Sequence, residues 1–281
     1  MKQIFIIIFC TLTVLTYGQK NKNKSPNFDI ADFNKKFEVA KWLYKYDLVA
    51  WWTSDSVMTQ DKKEIERLGN EWFCYQDQNN TWHAVYGKYD KGTFDLVFHF
   101  TVDNNSKVHR TYDKVDTLIL NSYSRALITA NKQVSALKDT VNIRFNQFVK
   151  RNDDETFSVW IFPAFQPNST AVYGGEFIYT MDQSGNKVLK DDSYFQGSFR
   201  GFKVDKPREI WLNYRDTDKP TLGAVFFVWY YKQYFTSIYI DCLKSNSTAF
   251  KDSDNKYTWI HAEKNPKKRK RINDADKKNG L

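Results

Sequence analysis

The four histidines are the first candidates for chemistry in this sequence, since an imidazole can act as a general base or bind a metal ion. They are His83, His99, His109 and His261. No two have the H-x-H or H-x-x-x-H spacing that brings imidazoles together on one strand or helix. If Gly87 pairs with Thr93 across a hairpin, His83 lies opposite Val97 and diagonal to His99. Because zinc needs three or four converging ligands, we expect structural or surface histidines and no metal site.

Cysteine offers nucleophilic or disulfide chemistry, and two cysteines lie beyond the N-terminal segment, Cys74 and Cys242. Cys74 would need a base such as His83 to act as a nucleophile. It lies between bulky aromatic residues with no basic neighbour that would stabilise a thiolate, so this chemistry is not expected. In an exported chain the two cysteines can form a disulfide. Two separate buried thiols are the alternative, since Cys packs as a small hydrophobe.

The sequence lacks the motifs of nucleotide binding and of nucleophile-elbow hydrolases. Neither G-x-G-x-x-G nor G-x-x-x-x-G-K-[ST] occurs, and Ser198 lacks the G-x-S-x-G spacing. Asp252 begins a run with partial EF-hand spacing, but Tyr257 replaces the glycine required at position 6. This run predicts a polar turn. No cofactor is expected.

Aromatic residues make up 17% of the chain, including nine tryptophans. We expect most of them in the core, because each can bury roughly 150–250 Å². Trp211 and Tyr214 lie on a predicted strand that also carries polar residues, so we expect them to bind a ligand. His83 and His99 are further candidate binding residues. The leading hypothesis is a non-enzymatic binding or structural protein that takes a peptide or glycan on an aromatic sheet.

A secreted hydrolase is the alternative function. The two acids of a glycosidase need no fixed spacing, so the absence of a motif does not argue against it. Its catalytic residues would be dispersed along the chain, around His83, His99 and Glu176.

The net charge of +9 is concentrated at the two ends of the chain. The first 24 residues carry +4 and residues 264–281 carry +6, which leaves −1 for residues 25–263. A nucleic-acid interface needs a basic stripe on a folded face, so no nucleic-acid partner is expected. Contact of the basic tail with an anionic surface is the physical alternative.

Residues 1–18 have the form of a secretory signal peptide: Lys2, then an apolar run from Ile4 to Leu15, then Thr16 and Gly18 before Gln19. The run is shorter than the roughly 20 residues needed to span a bilayer. No later run is longer than ten apolar residues, so no transmembrane segment is expected after cleavage. We therefore expect export to the periplasm, the cell surface or the exterior.

After a polar leader (19–28), apolar spacing predicts a helix that Asp29 caps and that extends to about Trp51. A short helix follows and is expected to end at Gly69 in the left-handed conformation. From Glu71 the pattern alternates and predicts a four-strand meander. A second long helix is expected from Asp116 or Thr117 to about residue 137.

The rest of the chain predicts antiparallel strands. The final strong pair is GAVFFVWYY and YFTSIYID, which we expect to form a hairpin at Lys232-Gln233. Residues 264–281 carry too little apolar surface to offset their ordering entropy and are expected to be disordered. The sequence thus predicts a single α+β domain over 29–263, with aromatic-rich antiparallel sheets and two main helices.

Residues 159–202 carry a Pro-Ala step followed by GGEFIYTMDQSGNKVL. This segment resembles a strand–turn–strand unit in uncharacterised exported bacterial proteins. The resemblance implies an exported α+β protein in which the Gly174-Gly175 strand and the D-x-x-G turn at 182–185 are architectural. It implies no activity and no catalytic residue.

Overall fold

The computed structural model describes residues 28–264. The predicted signal peptide, most of the polar leader and the basic tail after Lys264 lie outside these residues. The described chain contains four helices: α1 (Ile30–Val57), α2 (Lys62–Ile65), α3 (Thr117–Lys138) and α4 (Leu222–Tyr231). None of them is long and apolar enough to cross a membrane.

Thirteen strands in the described chain form three sheets, which confirms the predicted α+β class. The first sheet is the meander β1 (Glu71–Gln76), β2 (Trp82–Asp90), β3 (Thr93–Val102) and β4 (Val108–Arg110). The second contains β5 (Phe145–Arg151), β6 (Phe157–Pro163), β7 (Thr170–Met181), β8 (Val188–Asp191) and β9 (Tyr194–Lys203), the last two both paired with β7. The third contains β10 (Glu209–Tyr214), β11 (Ser237–Cys242), β12 (Ser245–Lys251) and β13 (Tyr257–Glu263).

Aspartate caps fix the start of both long helices as predicted. The Asp29 carboxylate accepts from the Asp32 N–H at 3.0 Å, and the Asp116 carboxylate accepts from the Leu118 N–H at 2.8 Å. Each bond satisfies a backbone donor that the first helical turn leaves free. α1 continues past the expected end near Trp51 to Val57, and Trp51 is 68% exposed rather than part of the buried face.

The predicted stop of the short helix at Gly69 is wrong. α2 ends at Ile65, its C-cap residue Glu66 keeps a right-handed conformation, and Gly69 does not have positive φ. The Gly69 N–H instead donates to the Gly87 carbonyl at 2.9 Å, so this glycine attaches the loop to β2.

The predicted register of the β2–β3 hairpin is also wrong. Its turn joins Asp90 to Thr93, and a bulge after Tyr86 pairs Gly87 with Leu96. His83 consequently pairs with Thr101. The turn lies three residues beyond Gly87 because Lys91 and Gly92 both adopt the positive φ that tight hairpins need.

The segment GAVFFVWYY is helix α4, so the predicted strand and its hairpin at Lys232-Gln233 are wrong. Thr221 caps the helix, its hydroxyl accepting from the Ala224 N–H at 3.2 Å. The strands on either side, β10 and β11, are parallel, and a parallel pair needs a crossover that a two-residue turn cannot supply. Because α4 is buried on nearly all sides, its sequence shows no period that distinguishes helix from strand.

In residues 159–202, Gly174 of the Gly-Gly strand and Gly185 of the D-x-x-G turn both have backbone roles in the fold. Gly174 has φ of +113° where the pairing of β7 with β9 shifts register, and a Cβ there would lie 2.5 Å from the Ser198 carbonyl oxygen. Gly185 ends the D-x-x-G turn with φ of +73° and contacts the backbone of α3, where a side chain would collide with the Ser122 carbonyl. Both positions require a residue without Cβ.

Two apolar clusters hold the elements together. The first packs α1 and α4 against all three sheets, and the second packs α3 between the first and second sheets. Most aromatic side chains belong to one of them, as the composition predicts. Trp211 is an exception and lies on the surface at 46% exposure.

Candidate functional site

The two predicted binding residues of β10 lie on opposite faces of the third sheet. Trp211 is exposed, stacks on Tyr239 at 4.4 Å between ring centroids and donates from Nε1 to Glu209 at 2.7 Å. Tyr214 is only 3% exposed and packs against Tyr173 in the core. Tyr214 therefore presents no exposed face to a ligand, and its binding role stays a prediction. It lies three positions after Trp211, and alternate residues of a strand face opposite ways.

The structure contains Cys74 and Cys242 as separate buried thiols and forms no disulfide between them. Burial raises the pKa of the Cys74 thiol well above its usual value and that of Cys242 to about 11. Cys74 pairs with Ala84, whereas His83 pairs with Tyr75, so Cys74 and His83 face opposite sides of the sheet. Neither thiol has the environment of a nucleophile.

His83 and His99 lie on one face of the first sheet in direct contact. His83 Nδ1 is 2.8 Å from His99 Nε2, so one imidazole donates to the other and the pair shares one proton. Burial, and then the charge of His83, lower the pKa of His99. Asp77 lies 3.5 Å from His83 Nε2. Among residues 28–264 no three His, Cys, Asp or Glu side chains group as metal ligands.

Glu176 contacts neither histidine. It lies on β7, 3% exposed, and accepts a hydrogen bond from the Gly223 N–H in the first turn of α4. Burial raises the pKa of this carboxyl to about 7, and hydrogen bonds from Thr221 and Gly223 limit the rise. The three residues of the hydrolase alternative are therefore not one site, because the histidines belong to the first sheet and Glu176 is attached to α4.

His261 lies between aromatic rings on β13. It stacks on Phe28 at 4.1 Å, meets Phe33 edge-on at 4.3 Å, and its Nδ1 is 2.9 Å from the Ser247 hydroxyl. Burial lowers the pKa of this imidazole to about 4. The neutral ring is thus the folded form at neutral pH.

We expect acid to destabilise the protein through His261. Because the pKa is lower in the folded state than in the unfolded state, the stability present above pH 6.5 is lost as pH falls from 6.5 toward 4. His261→Gln should remove this loss. Between pH 7.5 and 5 the free energy of unfolding should fall by about 1 kcal/mol less in the variant, a figure that allows for water reaching part of the ring. Urea titrations at both pH values measure it, and equal losses in both proteins would contradict it.

A groove between α1 and the first and second sheets brings tryptophan and lysine side chains together. Three tryptophans line it: Trp42 from α1, Trp82 from β2 and Trp160 from β6. The ring centroids of Trp42 lie 5.4 Å from those of Trp82 and 5.8 Å from those of Trp160. The groove has a volume of about 610 Å³. We call it the tryptophan groove; its size is that of a pocket for a small organic ligand.

Polar and cationic side chains complete the tryptophan groove. Its cations are Lys41 and Lys45 of α1 and Lys150 of β5. Lys41 pairs with Glu38 at 2.8 Å, whereas Lys45 and Lys150 have no carboxylate partner among the described residues. Amide and hydroxyl groups also line the groove, from Gln76, Asn152 and Ser158. The groove is therefore amphipathic, with aromatic walls and a net positive charge.

Local structure holds Trp42 in place at this site. Its indole N–H donates to Gln76 Oε1 at 2.9 Å, which connects α1 to the end of β1. Tyr46, one turn later on the helix, lies 5.5 Å from the Trp42 ring and 6.1 Å from Trp82. The groove is thus assembled on a helix and strand ends, elements that keep side chains in fixed positions.

The tryptophan groove is not evident from the amino-acid sequence. Its one local signal is Lys41-Trp42 with Lys45 one turn later, an aromatic residue among cations on a helix surface. Trp160 is 118 positions away and reaches the groove through the packing of the second sheet against α1. Such convergence has no signature in the spacing of residues.

Comparison with family models, with curated proteins and with solved structures finds no match for this chain. The resemblance of residues 159–202 to exported bacterial proteins stays an expectation.

Proposed function

We propose that this is an exported, non-enzymatic binding protein that holds an acidic glycan in the tryptophan groove. The observation that carries the proposal is the convergence of three tryptophans and three lysines on one groove. The pair His83–His99 lies outside it, since Trp82 and His83 are consecutive on β2 and face opposite ways.

The aromatic walls favour a ligand with flat apolar faces. A sugar ring presents C–H groups on its faces and hydroxyls around its edge, so it can stack on indole while its hydroxyls find polar partners. Gln76, Asn152 and Ser158 supply such partners at the groove. A pocket of mostly apolar lining with a few placed polar groups is the usual form of a small-ligand site.

The lysines favour a ligand that carries negative charge. Lys150 Nζ lies 5.6 Å from the Trp42 ring centroid, and Lys45 Nζ lies 4.6 Å from that of Trp52. Burial lowers the pKa of Lys45, so a carboxylate beside it would favour its charged form. Carboxylates on the glycan would meet two cations that have no acidic partner in the described chain.

The test compares a uronic-acid tetrasaccharide with a neutral tetrasaccharide by titration calorimetry. We expect the acidic ligand to bind and Trp42→Ala to weaken its affinity about tenfold, because the variant removes an aromatic face on which a sugar ring would stack. Lys150→Gln should weaken the acidic ligand severalfold and leave any binding of the neutral ligand unchanged. Trp42 is only half-buried, so its replacement spares most of the core.

Matched controls locate the site. Trp211→Ala removes an exposed tryptophan of the third sheet, and Lys190→Gln removes an exposed lysine of the second. Neither should change affinity. A chain that ends at Lys264 should also bind as well as the full chain, since the proposed contacts all lie between Lys41 and Trp160. Loss of binding in Trp211→Ala but not in Trp42→Ala would overturn the proposal, as would preference for an acidic peptide.

A further inference from the structure

Two arginines of the described chain have no protein partner. Residues 28–264 contain eight arginines, and six of them donate to a carboxylate, carbonyl or hydroxyl oxygen: Arg67, Arg110, Arg125, Arg151, Arg208 and Arg215. The guanidinium groups of Arg144 and Arg200 make no hydrogen bond or ion pair within this part of the chain, although the backbone of both residues is hydrogen-bonded. Both line the same pocket, which we call the arginine pocket.

The arginine pocket lies between the loop before β5, the segment that precedes β7, and strand β9. Its volume is about 510 Å³. Asn142, Asn168 and Thr170 line it beside the two guanidinium groups, and no Asp or Glu does. The Thr170 hydroxyl has no hydrogen-bond partner although its oxygen is buried. The pocket therefore offers several hydrogen-bond donors, two positive charges and no negative charge.

The buried side chain of Gln166 makes one wall of this pocket rigid. Its Oε1 accepts from the Arg144 N–H at 2.9 Å, and its Nε2 donates to the Arg144 and Ala164 carbonyls at 3.1 and 2.5 Å. Its backbone N–H donates to the Thr170 carbonyl at 3.0 Å. The backbone that carries Arg144 and Thr170 is thus fixed before any ligand arrives, which lowers the entropy cost of binding.

Apolar side chains also line the pocket, namely Ile143, Pro167, Val172 and Phe199. A bare oxyanion would use the arginines and leave this apolar part empty. Guanidinium groups pair with phosphate in a fork geometry that a point charge cannot match. Two of them suit a dianion, and a phosphate monoester carries nearly two charges at neutral pH.

We propose that the arginine pocket binds an organic phosphate monoester, with the phosphate between Arg144 and Arg200 and the organic group against Phe199. This site is separate from the tryptophan groove and uses none of its residues. The phosphate monoester proposed here is smaller than the acidic glycan proposed for the tryptophan groove, and its charge is concentrated on one phosphate group.

The experiment titrates the full mature chain with phenyl phosphate and follows heat and phosphorus NMR line width. We expect Arg144→Gln and Arg200→Gln each to weaken binding at least tenfold. Inorganic phosphate should bind more weakly than phenyl phosphate, since it leaves the apolar wall uncovered, and phenol should not bind. Affinity should fall between pH 7.5 and 5, because the second phosphate pKa is near 6.

Two control variants test whether binding depends on the pocket arginines rather than on any exposed cation. Arg208→Gln removes another exposed arginine that donates only to a backbone carbonyl at 3.4 Å, and it should not change affinity. Lys150→Gln removes a cation of the tryptophan groove and should also leave phenyl phosphate binding unchanged. Both pocket arginines are exposed, so the two variants should have the same melting temperature as the wild type. Unchanged affinity in both pocket variants, or equal affinity for phenol, would overturn the proposal and leave the glycan proposal standing.

Discussion

Tyr46→Ala should lower the free energy of unfolding by about 4 kcal/mol, the usual cost of removing a buried aromatic ring. Tyr46 is 1% exposed and lies at the centre of the first apolar cluster. Its ring meets Phe148 edge-on at 5.3 Å between centroids, as well as the two nearest tryptophans of the groove. Its hydroxyl accepts from the Cys74 N–H at 2.9 Å on β1, an edge strand.

Tyr46→Phe separates the two contributions. It keeps the ring and removes only the oxygen that satisfies a buried N–H, which costs about 2 kcal/mol. Urea unfolding followed by tryptophan fluorescence measures both variants. Equal destabilisation by Ala and Phe would show that the ring packing contributes nothing and would contradict the prediction.

The Tyr46 variants also test how the tryptophan groove is supported. Without the Tyr46 ring, Trp42 loses a neighbour that limits its orientation, so the Ala variant should bind the acidic glycan more weakly at temperatures where it stays folded. Tyr46→Phe should retain wild-type affinity, because the ring that contacts Trp42 is unchanged.

Glu176→Gln should stabilise the protein at pH 8 by up to roughly 3 kcal/mol. The folded pKa of about 7 lies above the unfolded value of 4.5, so the native state holds this proton more tightly. Its contribution to stability is fully present below pH 4.5 and is lost as pH rises from 4.5 through 7. Glutamine stays neutral at every pH and keeps an oxygen that accepts from the Gly223 N–H.

The pH dependence distinguishes this effect from a simple change of packing. At pH 4.5 the variant and the wild type should unfold at nearly the same denaturant concentration, and the gap should open with rising pH. Glu66→Gln, at an exposed position of the α2 end, is the matched control and should change little at either pH. A constant difference between pH 4.5 and 8 would contradict the titration of Glu176.

The direction of the pH effect differs for the two buried titratable groups described above. His261 makes the fold less stable as pH falls, because its ring must be neutral in the folded state. Glu176 makes the fold less stable as pH rises, because its carboxyl is favoured as the neutral acid. Their opposing slopes should cancel in part between pH 5 and 7, so the single variants are needed to reveal either one.

Several elements could be predicted from the sequence because their signals are local. Asp29 and Asp116 cap helices through bonds to residues two or three positions away, and the alternation after Glu71 defines a sheet face without reference to the rest of the chain. The bulge at Gly174 and the turn at Gly185 follow from the freedom of glycine at positive φ. These features depend on neighbours along the chain.

The site could be predicted only in part. The polar residues around Trp211 predict a surface aromatic residue, and the structure exposes it. The same reasoning predicts Tyr214 on that surface, but Tyr214 lies three positions later, where strand alternation places it in the core. His83 and His99 meet through a register that a bulge and a longer hairpin set, and neither could be located from residue spacing.

The fold class, the starts of the long helices, the polar turns and the uneven distribution of charge follow from the amino-acid sequence alone. The helical form of residues 222–231 depends on tertiary packing, because a segment buried on nearly all sides has no polar face from which its period can be inferred. Only the tertiary structure brought Trp160 to Trp42, and Arg200 to Arg144. These contacts join residues far apart in the chain, and their positions depend on how sheets and helices pack rather than on any local preference.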